Sequence, residues 1–357
     1  MSKVRIDDMK KNLVQANLDG LIVTHPAFIR YLTGFTGSSG VFVVTTNSAE
    51  FITDFRYQDQ ASKQVKGAKV YIHSGDYLGA LKNSAKHQKK NLRLGYSGTY
   101  ATISQLNNMK KNFPNALLVD ADYLTDELGW VKDKDEIASI TKACEISDIA
   151  FGRILSMVAP GIRESELAAE LEYQMKMLGS EKPAFETIIA SGYRSAMPHG
   201  LASSKKIKNG DFITFDFGAT YNGYVSDMTR TIVVGKATTR QKNIYNLVLR
   251  AQKAGVRKIK AGITGLAVDD ACRKIITKAG YGKNFGHGTG HGIGFYVHVG
   301  PRLSPLSNDK LKAGNVVTVE PGIYVSGWGG VRIEDDVLVT KSGGKVLNTS
   351  PKNLLEV

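Results

Sequence analysis

Apolar residues recur along this chain with two different periods, and each change of period marks a new element. Ile6, Met9, Leu13 and Val14 fall at helical spacing, Gly20 reads as a stop, and Leu21, Ile22 and Val23 form a short strand-like run. Similar apolar runs recur at 41–44, 51–52, 70–72 and 117–119. This alternation over the first 125 residues or so predicts an α/β domain. At 126–136 (DELGWVKDKDE) the chain turns polar, which predicts a linker or surface turn. Beyond it Ile137, Ile140, Cys144, Phe151, Ile154 and Val158 line one stripe of a long helix, which Pro160-Gly161 ends. Further helical patterns occupy 164–178, 240–259 and 266–279, and strands fill the remainder.

A chain of 357 residues exceeds one average domain, so the pattern is divided into an N-terminal α/β domain at 1–126 and a second domain at 127–357. A hydrophobic content of 42% with 22% charged residues is that of a globular protein with a substantial core. The opening MSKVRIDDMKK carries charge where a signal peptide carries an apolar stretch, and no run approaches the length of a membrane span. Cytoplasmic residence is the expectation. Cys144 and Cys272 stand far apart in helix-like patterns, which predicts buried reduced thiols rather than a disulfide. The net charge of +14 invites an anionic partner, but the basic residues are scattered in pairs such as Lys10-Lys11, Lys89-Lys90 and Lys205-Lys206 without interleaved aromatics. A solvated basic surface is expected, with no nucleic-acid or membrane partner.

The chemistry concentrates in the second half. Asp216 in FDFG, Asp227 in SDMTRT, His291 in GHGTGHGIG, Glu320 in VEPGIY and Glu334 in VRIEDD are all residue types that bind divalent metals. Four carboxylates and one imidazole exceed the needs of one small cation and suit two ions sharing carboxylates, an arrangement that activates water. In Phe212–Phe217 the alternation sends Thr214 and Asp216 one way and Ile213, Phe215 and Phe217 the other. Asn222-Gly223 is a two-residue hairpin signal. Centred there, the hairpin sets Asp216 opposite Thr229 and puts Asp227 diagonal to Asp216, roughly 7–8 Å away at the backbone. Two like charges so placed repel unless something positive lies between them.

In GHGTGHGIGFYVH the histidines His287, His291 and His298 share a run whose glycines rule out a comfortable helix, so an extended segment is expected. Glu320 ends an apolar strand before Pro321-Gly322, which reads as a turn. Alternation in Val331-Arg332-Ile333-Glu334 sends Arg332 and Glu334 to one face. His199, in MPHG, is by itself an ordinary loop histidine. An oxygen-rich donor set favours Mn²⁺, with Co²⁺ or Zn²⁺ as alternatives.

The order and contexts of these five residues resemble the dinuclear metallopeptidases of the pita-bread fold, a group that includes methionine aminopeptidase, aminopeptidase P and prolidase. YLTGFTGSSG (31–40) and FITDFRYQDQA (51–61) are similar to the creatinase-like N-terminal domain of small bacterial aminopeptidase P proteins, so the resemblance covers nearly the whole chain. It implies an α/β (α+β) protein with a catalytic pita-bread domain at 127–357. The N-terminal domain would serve substrate access and dimerisation. The implied activity is that of a homodimeric Xaa-Pro aminopeptidase, which releases the first residue from proline-containing peptides by attack of a metal-bridging hydroxide.

By the same resemblance Asp227 and Glu334 would bridge two divalent ions, with Asp216 completing one shell and His291 and Glu320 the other. Glu320 would also shuttle the proton. His298 and His199 would steady the tetrahedral intermediate and the proline-side carbonyl. Arg332 would orient Glu334 or hold substrate, and His287 would support the site from behind the ligands. Val299 stands where many relatives carry glutamate, which bears on the positioning of His298. Prolidase, an Xaa-Pro dipeptidase, shares every one of these residues and is the alternative; a pita-bread protein that binds peptides without cleaving them is the remote one.

Overall fold

The computed structural model of the protein describes residues 2–82 and 91–357, so the Lys89-Lys90 pair lies outside the described residues. The chain forms two compact units, Met1–Leu128 and Gly129–Val357. Among the described residues no helix is long and apolar enough to cross a membrane.

The first unit is built on a six-stranded mixed sheet in the order Lys69–Ile72, Ala49–Thr53, Val41–Thr45, Gly20–Val23, Arg93–Tyr96, Leu117–Asp120. The Ser2–Gln15 helix buries Ile6, Met9 and Leu13, whereas Val14, one step around the helix from Leu13, is exposed. Gly20 does not stop this helix. Asn17 does, with a left-handed φ of 53°, while the Leu18 and Asn17 N–H groups donate to the carbonyls of Leu13 and Val14. Gly20 instead opens the next strand. Arg93–Tyr96 is a strand the apolar pattern did not reveal, because Arg93, Gly95 and Tyr96 interrupt it. Its parallel neighbours on both sides supply the reason it is extended.

In the second unit the polar run at 126–136 is only partly a linker. Asp133 caps a helix that begins at Lys134, accepting from the Asp135 and Glu136 N–H groups, and the Glu136 carboxylate accepts from the Asp133 N–H. The start of a capped helix is itself polar, so pattern alone reads it as a loop. This Lys134–Ile154 helix and the Glu164–Met177 helix pack against an antiparallel sheet of Ile188–Ser191, Phe212–Phe217 and Met228–Val233. A second helix pair, Thr239–Lys258 and Gly265–Lys278, packs against a five-stranded antiparallel sheet ordered Val299–Leu303, Gly290–Gly292, Val316–Val319, Asp335–Val339, Gly344–Val346. Pro321-Gly322 is not a turn. Gly322 opens the strand Gly322–Val325, which pairs with Gly329–Arg332.

The hairpin register follows from its turn. Asn222 and Gly223 both take positive φ, 49° and 81°, as the two central positions of a type I′ turn require. Tyr221 then pairs with Tyr224, Thr220 with Val225 and Asp216 with Thr229. Ile213, Phe215 and Phe217 enter the core, and Asp216 faces away from it. Gly223→Ala forces a Cβ into the left-handed region and is expected to cost about 1 kcal/mol. The denaturation midpoint measures this, and an unchanged midpoint would count against the turn.

Candidate metal centre

Each predicted ligand sits where a strand ends or pauses. Asp216 lies near the end of Phe212–Phe217, and Asp227 immediately precedes Met228–Val233. His291 is the middle residue of Gly290–Gly292, Glu320 follows Val316–Val319, and Glu334 lies between Gly329–Arg332 and Asp335–Val339. Backbone bonds tie these points together: the Glu334 N–H donates to Thr229 O (3.1 Å) and the Glu320 N–H to Thr289 O (2.8 Å). The glycines of the histidine run admit close backbone neighbours. A Cβ on Gly290 would lie 2.1 Å from Thr318 O, and one on Gly292 would lie 2.1 Å from Gly300 O. Within the run only Gly290–Gly292 is a strand, and at its two glycines the flanking backbone leaves no room for a Cβ; the residues on either side are irregular.

One ligand atom each from Asp227, His291 and Glu334 lie within 4.8 Å of one another, and all three residues are buried. The His291 Nε2 stands 3.3 Å from Glu320 Oε1 and 3.7 Å from Asp227 Oδ2. These contacts would be ion pairs only if the imidazole were protonated. Burial, then the neighbouring His298, pushes its pKa down to about 3, so it is neutral. Its Nδ1 lies 3.2 Å from Gly292 O and donates there, which turns the Nε2 lone pair towards the carboxylates. Asp227 and Glu334 are raised well above the usual carboxylate range, first by burial and then by neighbouring carboxylates, each other's or that of Glu320. Burial likewise raises Glu320 to about 8. Asp216 keeps one buried oxygen, Oδ1, without a hydrogen-bond partner. Lone pairs facing lone pairs, with an orphaned carboxylate oxygen among them, fit a divalent cation and little else.

Positive charge is supplied by Arg332, which is buried. Its Nη2 donates to Asp216 Oδ2 (2.5 Å), its Nη1 to Tyr324 Oη (2.8 Å) and its Nε to Thr229 Oγ1 (3.0 Å). Thr229 in turn donates to Glu334 Oε2 at 2.5 Å, so Arg332 reaches Glu334 only through a threonine. His287 donates from Nδ1 to Gly288 O (2.7 Å), and its Nε2 accepts from Tyr324 Oη (2.9 Å). Burial lowers His287 to about 4, which keeps that acceptor free of a proton. The ring of His298 lies 4.3 Å from that of His291, and Val299 beside it pairs with Gly292. His199 is exposed in the turn after Gly192–Ala196. Every predicted site residue lines one cavity of about 850 Å³.

Several site residues escaped the sequence reading. Tyr324 lies within the quoted VEPGIY, and the alternation of Gly322–Val325 was its only signal. Arg302 lines the cavity from an exposed position on Val299–Leu303. The other two acids of VRIEDD are also buried. Asp335 accepts from Arg230 Nη2 (2.8 Å), Lys352 Nζ (2.6 Å) and Gln252 Nε2 (2.7 Å). Asp336 accepts from the Asp227 N–H (2.9 Å) and the Cys144 thiol (3.3 Å), and burial raises it to about 8. Cys144 and Cys272 are free and buried, as predicted.

Residues 138–341 match metallopeptidase family M24, and residues 5–129 match the Creatinase/Prolidase N-terminal domain. The chain belongs to metallopeptidase family M24. It is 40% identical over 356 residues to an Xaa-Pro dipeptidase of Pyrococcus furiosus, covering 99% of this chain and 100% of that one. Among solved structures, an Xaa-Pro dipeptidase from Bacillus anthracis superposes with a TM-score of 0.96 at 43% identity and full coverage of both chains. An X-Pro aminopeptidase from Thermotoga maritima superposes with a TM-score of 0.91 at 36% identity, covering 98% and 99%. The resemblance to the pita-bread metallopeptidases therefore holds, and the protein is a peptidase of that family. The preference for aminopeptidase P over prolidase does not fare as well, since these relatives support the dipeptidase at least equally.

The acid cluster makes metal binding and stability interdependent. The Glu320 carboxyl is raised from 4.5 to about 8 on folding. A group raised in this way contributes its stability in full below about 4.5 and loses it as pH rises through about 8, where the buried carboxyl ionises. A cation takes the ionised form and offsets the loss. Mn²⁺ is therefore expected to raise the melting midpoint more at pH 8 than at pH 5, with a stabilisation of about 2.7 kcal/mol at a hundredfold excess over its Kd. A midpoint indifferent to Mn²⁺ at pH 8 would contradict the ligand set.

Proposed function

We infer that this protein is a metal-dependent Xaa-Pro dipeptidase that takes two divalent ions, with Mn²⁺ the native occupant favoured by the oxygen-rich donors. The observation that carries the hydrolytic part is the convergence of Asp227, His291 and Glu334 on one buried point, with Asp216 and Glu320 beside it. Bound there, the ions would supply Lewis acidity and lower the pKa of water. The remaining roles fall to the chain. Glu320, ionised beside the ions and on the cavity wall, would take the proton released by the attacking water and return it to the departing proline nitrogen. His298 and His199, on the cavity wall, donate to the oxygen that gains charge at the scissile carbonyl. Arg332, Tyr324 and His287 hold Asp216 and one another in a fixed chain of donors and acceptors.

Arg302 favours the dipeptide over a longer peptide. Its guanidinium stands exposed on the cavity wall, and its charge is felt at both His291 and His298. A dipeptide presents a free carboxylate one residue beyond the scissile bond, where a guanidinium binds it; a longer peptide presents a neutral amide. The two relatives named as Xaa-Pro dipeptidases support the same length preference. The aminopeptidase reading retains the support of the Thermotoga maritima structure. Homodimerisation and substrate access are assigned to the Met1–Leu128 unit, and cytoplasmic residence completes the proposal.

Mn²⁺-loaded protein is expected to cleave Xaa-Pro faster than Xaa-Pro-Xaa or longer peptides, and a chelator should abolish all three activities. Equal rates on the longer peptides would turn the assignment to aminopeptidase P, and silence on every one would leave a peptide-binding protein. Glu320→Gln should lower kcat by a factor of about 100 or more while peptide binding persists. Arg302→Met should raise KM for the dipeptide about tenfold and leave a dipeptide amide unaffected. Equal effects on both would remove the carboxylate role.

A further inference from the structure

His199 has the weakest support of any residue in the cavity: it is exposed, and it lies in a turn rather than a strand. Yet the segment that carries it is anchored at both ends on a single buried carboxylate. Glu164, the first residue of the Glu164–Met177 helix, has no solvent exposure and does not line the cavity. Its Oε1 accepts from the N–H (2.7 Å) and hydroxyl (2.8 Å) of Ser191, the last residue before the loop. Its Oε2 accepts from the N–H (3.1 Å) and hydroxyl (2.6 Å) of Ser203, where the loop ends. Arg194, inside the loop, donates from Nε to the same Oε2 (3.0 Å) and from Nη2 to Leu201 O, crossing the loop just beyond His199. The Ser165 N–H adds a bond to Ser203 O at 2.9 Å.

We propose that Glu164 is a positioning residue that acts through His199, closing the 191–203 loop so that the imidazole stands against the substrate cavity. This rests on the reading of His199 as a substrate contact. The physical case is the count of donors. Both carboxylate oxygens accept from N–H and O–H groups only, so each must remain an acceptor. A carboxamide cannot satisfy both ends, because its NH₂ meets donors at either Ser191 or Ser203, and one anchor is released. None of the metal ligands lies within the loop, so metal affinity has no reason to follow. Without the anchor the loop keeps its local turn, through Gly200 N–H to Met197 O and Leu201 N–H to His199 O, and its tie from the Gly330 N–H to Ser195 Oγ (2.8 Å), but the stretch from Ser195 to Ser203 that carries His199 loses its hold.

The test is a double-mutant cycle in the Mn²⁺-loaded full-length protein with an Xaa-Pro dipeptide. His199→Ala and Glu164→Gln are each expected to lower kcat/KM about 10- to 100-fold, with Mn²⁺ affinity unchanged. The double variant should be no worse than His199→Ala alone, because the carboxylate acts only through the imidazole. Additive losses, or a Glu164→Gln variant with wild-type kcat/KM, would overturn the proposal. Should Glu164→Gln fail to fold, Ser203→Ala removes the 2.6 Å bond to Glu164 and the one the hydroxyl accepts from the Lys205 N–H (3.1 Å), and its smaller loss should vanish in the His199→Ala background. Histidine NMR separates failure here from failure of the Xaa-Pro reading. If the wild type cleaves no Xaa-Pro peptide, the proposal still requires the His199 ring resonance, assigned by its loss in His199→Ala, to shift or broaden in Glu164→Gln while that of His73 stays put. An unmoved His199 resonance overturns it.

Discussion

The second unit is organised around a buried concentration of negative charge that the chain alone does not neutralise. Asp227, Glu320 and Glu334 are held above the usual carboxylate range by burial and by neighbouring carboxylates, and Arg332 is the guanidinium placed among them. Such a cluster disfavours folding unless protons or cations supply the missing charge. The neutral His291 belongs to the same constraint: a protonated imidazole would relieve the repulsion but forfeit the lone pair that binds a metal. Family membership and local electrostatics therefore describe one requirement, a site completed by divalent ions.

Antiparallel strands meet this requirement because their ends can be brought close while their middles build a core. Phe215 and Phe217 bury themselves against Phe151 on either side of Asp216, and Val331 and Ile333 enter the other core of this unit around Arg332 and next to Glu334. In VRIEDD three successive acids take three different tasks. Glu334 faces the metal site, Asp335 joins Arg230 and Lys352 behind it, and Asp336 supports the backbone of Asp227. Breaking the fully buried Arg230–Asp335 pair from one side would leave an uncompensated charge, at about 3–5 kcal/mol. The ligands are thus carried on a frame held by its own ion pairs and hydrogen bonds behind the site.

Much of this was legible from the chain. The I′ signal Asn222-Gly223 set the register that faces Asp216 with Thr229, because a two-residue loop leaves the strands no freedom to slip. Glycine at alternate positions excluded a helix for the histidine run, and close backbone contacts at Gly290 and Gly292 are the reason. Other elements were hidden. The helix start at Asp133 looked like a linker since capping residues are polar, and Arg93–Tyr96 had too few apolar residues to declare itself a strand.

The sequence by itself determined the two α/β-rich halves, the reduced cysteines and the inventory of metal-binding side chains, since these follow from periodicity, turn chemistry and residue type. Tertiary structure decided which side chains meet. Residues separated by roughly a hundred positions converge, as when Thr229 bonds Glu334 and Arg332 bonds Asp216. It also revealed Tyr324, Arg302 and Glu164, whose significance lies wholly in what they face. Local pattern records a residue's own backbone preference, but the partner of a buried charge is chosen by packing between distant strands.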